Sequence, residues 1–142
     1  MDSFFNLDSI TINHIQMSTV INIKGTYDTP AIEFDPEKGL FTIKGRSLPS
    51  NSFAFYAPVL EKVKEYLNQP KDDSRFDFRM DFISSSSTKV FQELFYEFEQ
   101  AHKKGTKLLV NWYYKFGDDD MKELGDDLRM DTSFPFEFIA YE

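Results

Sequence analysis

From Arg75 to Phe82 the chain alternates strictly: Arg75, Asp77, Arg79 and Asp81 are charged, while Phe76, Phe78, Met80 and Phe82 are apolar. Period two predicts a strand with one buried face. From Val90 the period changes. Val90, Phe91, Leu94, Phe95, Phe98 and Ala101 recur at a spacing that gathers them on one side of a helix with about 3.6 residues per turn. That pattern predicts a helix over Thr88 to Lys104. The basic turn His102-Lys103-Lys104 and the following Gly105 supply its stop. Between the two patterns lies Ser84-Ser85-Ser86-Ser87-Thr88-Lys89. A run of hydroxyls therefore stands where a strand ends and a helix begins, next to backbone N–H groups that favour negative charge.

The same patterns organise the rest of the chain. Ile10, Ile12 and His14 alternate with polar residues, so the N-terminal extension over residues 1–25 is compatible with a short strand. Val20, Ile21 and Ile23 lead into a turn-rich passage ending at Pro30. Ala31 to Phe34 and Leu40 to Lys44 predict two strands, joined by a hairpin loop from Asp35 to Gly39. Gly45-Arg46-Ser47-Leu48-Pro49 reads as a break in the sheet. Tyr56, Val59, Leu60, Val63 and Leu67 form the apolar stripe of a helix capped by Asn51 or Ser52. Pro58 within it predicts either a start near Ala57 or a kink. Lys107 to Tyr114 predicts another strand, which with Arg75 to Phe82 and the intervening helix makes a βαβ unit with parallel strands. Gly117-Asp118-Asp119-Asp120 opens a third helix with Met121, Leu124 and Leu128 on one face, and Phe134 to Tyr141 predicts the last strand. The expected architecture is one α/β domain, a mixed sheet covered by about three helices.

Composition narrows the function. Of 142 residues, 41% are hydrophobic and 16 are Phe, which suits a globular domain with an aromatic core. The net charge of −8 argues against nucleic acid and anionic membranes as partners. No cysteine is present, which removes disulfides and thiolate metal sites. The first residues lack a basic segment followed by an apolar run, and no stretch approaches the ~20 apolar residues of a membrane span. A cytoplasmic location is the expectation.

Few residues point to catalysis. There is no Gly-x-Ser-x-Gly elbow and no glycine-rich phosphate loop, so neither a hydrolase nor a nucleotide cofactor is indicated. His14 and His102 are the only imidazoles, and His102 reads as a charge at a helix C-terminus. Asp118, Asp119 and Asp120 suit a helix start better than a metal site. Residues 117–131 hold seven acidic and two basic residues. They form either a solvated face or a docking surface for a basic partner, for which Asp118, Asp119, Asp120 and Asp126 are the candidates. Trp112-Tyr113-Tyr114 could stack nucleobases, but without a basic groove core packing explains it better. The serine run itself exceeds what one helix cap needs.

Taken together, several stretches resemble the SiaC family of bacterial regulatory phosphoproteins. They are Thr29-Pro30-Ala31-Ile32-Glu33-Phe34-Asp35, Gly45-Arg46-Ser47-Leu48-Pro49 with Asn51-Ser52, the serine run with Lys89, Trp112-Tyr113-Tyr114, and Phe134-Pro135-Phe136-Glu137. The resemblance covers roughly residues 26–140 in order and sets the regulatory domain at 26–142. It implies a fold like that of SpoIIAA, a STAS-type anti-sigma factor antagonist, and a protein that is not an enzyme and carries no cofactor or metal. It also implies a phosphorylation switch. A GHKL-type kinase modifies one Ser or Thr, a PP2C-like phosphatase resets it, and the unmodified form binds an output partner. In the best-known system that partner is a diguanylate cyclase, which places the family in c-di-GMP signalling. Laid on this chain, the family's acceptor falls on Ser85, with Ser84 where the family has Asn. A slip of one residue gives Ser84 or Ser86 instead. Ser87, Thr88 and Lys89 form the surroundings. Two rivals stay open: a STAS-like docking module that is not phosphorylated, and a small serine hydrolase.

Overall fold

The structure is a computed structural model and describes residues 20–142. The strand expected at Ile10, Ile12 and His14 lies outside the described residues. Six strands form one sheet in sequential order: β1 (Ile21–Ile23), β2 (Ala31–Asp35), β3 (Leu40–Ser47), β4 (Ser74–Ile83), β5 (Leu108–Lys115) and β6 (Phe136–Tyr141). The first two pairings are antiparallel. The pairings β3–β4, β4–β5 and β5–β6 are parallel, as the βαβ pattern predicts. Three helices connect them: α1 (Ser52–Asn68), α2 (Ser85–Lys103) and α3 (Asp119–Arg129). Residues 20–142 thus form a single α/β domain with a mixed sheet.

The alternation in β4 divides the sheet's two faces. Phe76, Phe78 and Met80 are buried, with Phe34, Phe41, Ile43, Val110 and Trp112 beside them on neighbouring strands. The helices cover this face. Tyr66 of α1 meets Phe34 edge-on at 5.2 Å, Phe95 of α2 meets Phe78 at 5.6 Å, and the Trp112 indole N–H donates to the Met121 carbonyl of α3 at 3.0 Å. Leu94 is 1% exposed, so the predicted face of α2 is the buried one. Trp112 stacks on Phe78 at 5.6 Å, a core role rather than a base-stacking one. The other face is polar, with the Arg79 guanidinium between the rings of Tyr113 (4.7 Å) and Tyr141 (4.6 Å). Among the described residues no helix is long and apolar enough to cross a membrane.

The largest departures from the sequence pattern lie at Gly45 and at the start of α2, while α1 takes one of its two expected cap residues. Gly45 does not break the sheet. At φ +113 it absorbs a register shift between Gly45 and Arg46, and β3 continues to Ser47 beside Ile83. Helix α1 begins at Ser52, capped by the Asn51 side chain, which accepts the Ala54 N–H at 3.0 Å. It runs through Pro58 rather than starting there. Helix α2 begins at Ser85, not Thr88, because caps rather than apolar packing hold its first turn.

Candidate functional site

The end of β4 delivers the serine run to one point. The Ser84 N–H donates to the Ser47 carbonyl at 2.9 Å, adding a contact beyond the last β3–β4 pair. Ser84 then turns the chain into α2 as its N-cap: its backbone is extended, and its hydroxyl oxygen accepts the Ser87 N–H at 3.2 Å. The Ser84 carbonyl receives the Thr88 N–H at 2.8 Å and the Thr88 hydroxyl at 3.0 Å. The run expected as a turn before the helix is therefore the helix's first turn.

Its hydroxyls are not equivalent. Ser87 is 0% exposed. Its oxygen accepts from the Ser47 hydroxyl at 2.7 Å and the Ser84 hydroxyl at 3.0 Å. Since Ser47 spends its proton on Ser87, Tyr56 is the donor in their 2.6 Å contact. Burial keeps Tyr56 protonated, raising its pKa well above 10.0 against the smaller opposing effect of the Ser47 hydrogen bond. The Ser87 proton has Ser52 as its remaining partner, at 3.1 Å. Ser52 reaches Ser86 at 2.8 Å, and Ser86 reaches Ser84 at 3.4 Å. One orientation satisfies every contact: Ser87 donates to Ser52, Ser52 to Ser86, Ser86 to Ser84 and Ser84 back to Ser87. Tyr56 and Ser47 feed the ring. Ser85 is exposed, and among the described residues its hydroxyl bonds to nothing.

The site also joins two helix beginnings. Ser52 is the first residue of α1 and Ser85 the first of α2, and Ser52 bonds to the α2 residues Ser86 and Ser87. Caps occupy the Ala54 and Ser87 amides. The amides of Ser52, Phe53, Ser85 and Ser86 have no intrahelical acceptor. Two positive dipole ends thus meet beside Ser85. Lys89, exposed, lies one turn along α2 from Ser85.

Around the hydroxyls are exposed rings. Phe53, next to Ser52, is 53% exposed, and Phe82, two residues before Ser84, is 43% exposed. The Arg46 guanidinium lies over the rings of Tyr27 at 4.6 Å and Phe82 at 5.5 Å. Helix α3 starts from the same edge of the sheet, because β4 and β5 are parallel neighbours. Of its acidic candidates, Asp118 caps the helix by accepting the Met121 N–H at 3.1 Å, and Asp126 pairs with Lys122 at 2.9 Å. Asp119 and Asp120 are exposed. His102 sits in the last turn of α2, about 25 Å along the helix from Ser85, too far to act as its base. His14 lies outside the described residues.

Sequence reasoning missed Ser47, Ser52 and Tyr56 as parts of this site. Tyr56 reads as a core aromatic and Ser47 as a turn residue. Both serines do fall in the Gly45 to Ser52 stretch that carries the family resemblance, which was the available signal.

The profile of the family described as SiaC family regulatory phosphoprotein matches residues 23–141. A protein of Pseudomonas aeruginosa (strain UCBPP-PA14) is 30% identical over 122 residues, covering 86% of this chain and 97% of its own length. The solved structure of SiaC of P. aeruginosa superposes with a TM-score of 0.81 at 30% identity, covering 87% of this chain and 99% of that one. The crystal structure of the diguanylate cyclase SiaD in complex with its activator SiaC, from the same organism, matches at TM-score 0.81 and 30% identity over 85% and 99% of the respective chains.

Proposed function

We propose that this chain, which belongs to the SiaC family of regulatory phosphoproteins, is a partner-switching protein whose state is set by a phosphate on Ser85. The observation that carries the proposal is that Ser85 is exposed, stands outside the hydroxyl ring and lies where two helices begin. A phosphoserine adds about −1.5 to −2 charges and three acceptor oxygens. Spare N–H groups, two dipole ends and Lys89 are at hand to stabilise them, so the fold tolerates the modification. A partner seated on the neutral surface does not. It would have to desolvate the dianion beside Phe53 and Phe82, which is costly without a counter-charge.

The output partner is a diguanylate cyclase or another output protein, by analogy with the activator complex of the P. aeruginosa relative. A GHKL-type kinase adds the phosphate and a PP2C-like phosphatase removes it. The chain performs no chemistry of its own in this scheme. The test is incubation with such a kinase and ATP, followed by intact mass, site mapping and pull-down of the output partner. One added phosphate on Ser85 with loss of the partner is expected, and Ser85→Ala should keep the partner and resist the kinase. Phosphorylated protein that still holds the partner overturns the switch. A chain that takes no phosphate but binds a partner is a docking module instead.

A further inference from the structure

We propose that the hydroxyl ring selects the acceptor: by engaging Ser84, Ser86 and Ser87 it leaves Ser85 as the one serine of the run whose hydroxyl is available for transfer. Selection presupposes the switch proposed above and assigns a role in it to Ser52, on a different helix.

Four adjacent serines offer a kinase four chemically identical nucleophiles. Transfer forms a bond from the serine oxygen to the γ-phosphorus and breaks the bond from that phosphorus to the β–γ bridging oxygen. ADP leaves, and the hydroxyl proton passes to a base on the kinase. The attacking oxygen therefore needs an accessible lone pair and a proton that can be handed away. Ser87 fails on access, being 0% exposed. Ser84 fails because its oxygen caps α2 and its proton is committed to Ser87. A phosphate there would also remove the cap.

Exposure does not separate Ser85 from Ser86, since both are exposed. Hydrogen bonding does. The Ser86 oxygen receives the Ser52 proton at 2.8 Å, and its own proton is directed at Ser84 at 3.4 Å. Ser52 is held in turn: it is 3% exposed and bonded to Ser87 at 3.1 Å. Because Ser47 and Ser84 both donate to Ser87, the Ser87 proton goes to Ser52, and the ring runs on from Ser52 to Ser86. The Ser86 oxygen keeps a second lone pair, so its attack is slowed rather than blocked: turning that oxygen out to the kinase forfeits the bond from Ser52. A net neutral hydrogen bond disfavours that by roughly five-fold.

The experiment compares phosphate positions after reaction of the full chain with ATP and a GHKL-type kinase, mapped by fragmentation of the 84–89 peptide. Wild type should carry phosphate on Ser85. Ser52→Ala should raise the share on Ser86 about five-fold, and Ser52→Thr, which restores a hydroxyl, should return it to the wild-type level. In a Ser85→Ala background labelling should be confined to Ser86 and slow, and adding Ser52→Ala should speed it about five-fold. Thermal melts of each variant check that the fold is kept. An unchanged Ser86 share in Ser52→Ala, with Ser85 still labelled, overturns the selection and leaves the switch standing. Wild-type phosphate on Ser84 or Ser86 does the same. No phosphate anywhere in the run overturns the switch and the selection together.

Discussion

Ser47 and Ser87 are forty residues apart in the chain, yet their hydroxyl oxygens stand 2.7 Å apart, both fully buried. The contact ties the end of β3 to the first turn of α2. Buried hydroxyls without partners are costly, so the pair persists only while its surroundings satisfy both. Tyr56 does that for Ser47 at 2.6 Å. Tyr56→Phe keeps the packing and removes the donor, and should cost about 1–2 kcal/mol in urea unfolding. A loss below about 0.3 kcal/mol would mean that the ring stands without it. Because burial raises the Tyr56 pKa above 10.0, its contribution is complete below pH 10 and is lost as pH rises further. The variant's stability should fall less steeply than wild type's in that range.

Helix α3 packs tightly against the sheet at Gly125. A Cβ there would lie 2.7 Å from the Trp112 indole and 2.7 Å from the Phe138 ring. Gly→Ala within a helix normally stabilises by about 1 kcal/mol. Here overpacking wins, and Gly125→Ala should destabilise by about 1–3 kcal/mol. A more stable variant would show that α3 can lift away from Trp112.

Glu99 anchors the passage before β6. Its carboxylate accepts the Ser133 N–H at 2.9 Å and the Ser133 hydroxyl at 2.8 Å. These bonds, the backbone one foremost, lower its pKa below 4.5. A lowered carboxylate pKa contributes stability that is present above 4.5 and lost as pH falls through the folded-state value. Glu99→Gln should cost about 1–2 kcal/mol at neutral pH and flatten the acid limb of the stability curve. Denaturant titrations at a series of pH values measure both.

The exposed start of α3 bears on association. If the output partner is basic where it approaches, Asp119→Lys with Asp120→Lys should slow its association by roughly ten-fold at low salt and reduce the salt dependence. Stopped-flow mixing reads this directly, and unchanged rates would return the segment to a solvated face. Asp126 suits this test less well, because Lys122 already neutralises it.

Periodicity located β4, the buried stripe of α2 and the parallel β4–α2–β5 unit, because a buried face must repeat at the element's own period. It misplaced the start of α2 by three residues, since a first turn held by caps carries no apolar repeat. It also ended β3 too early at Gly45, where a glycine that often terminates a strand instead absorbs a bulge.

The candidate site divides along the same line. Sequence alone determined that a hydroxyl run lies at a strand-to-helix junction, and the family motifs pointed to Ser85 within it. Both are local properties, written in neighbouring residues. Only the tertiary structure decided that Ser84, Ser86 and Ser87 are engaged and Ser85 is not. That difference depends on Ser47, Ser52 and Tyr56, which are distant in sequence. Parallel pairing of β3 with β4 brings the ends of those strands together, so α1 and α2 begin side by side and their hydroxyls come within bonding distance.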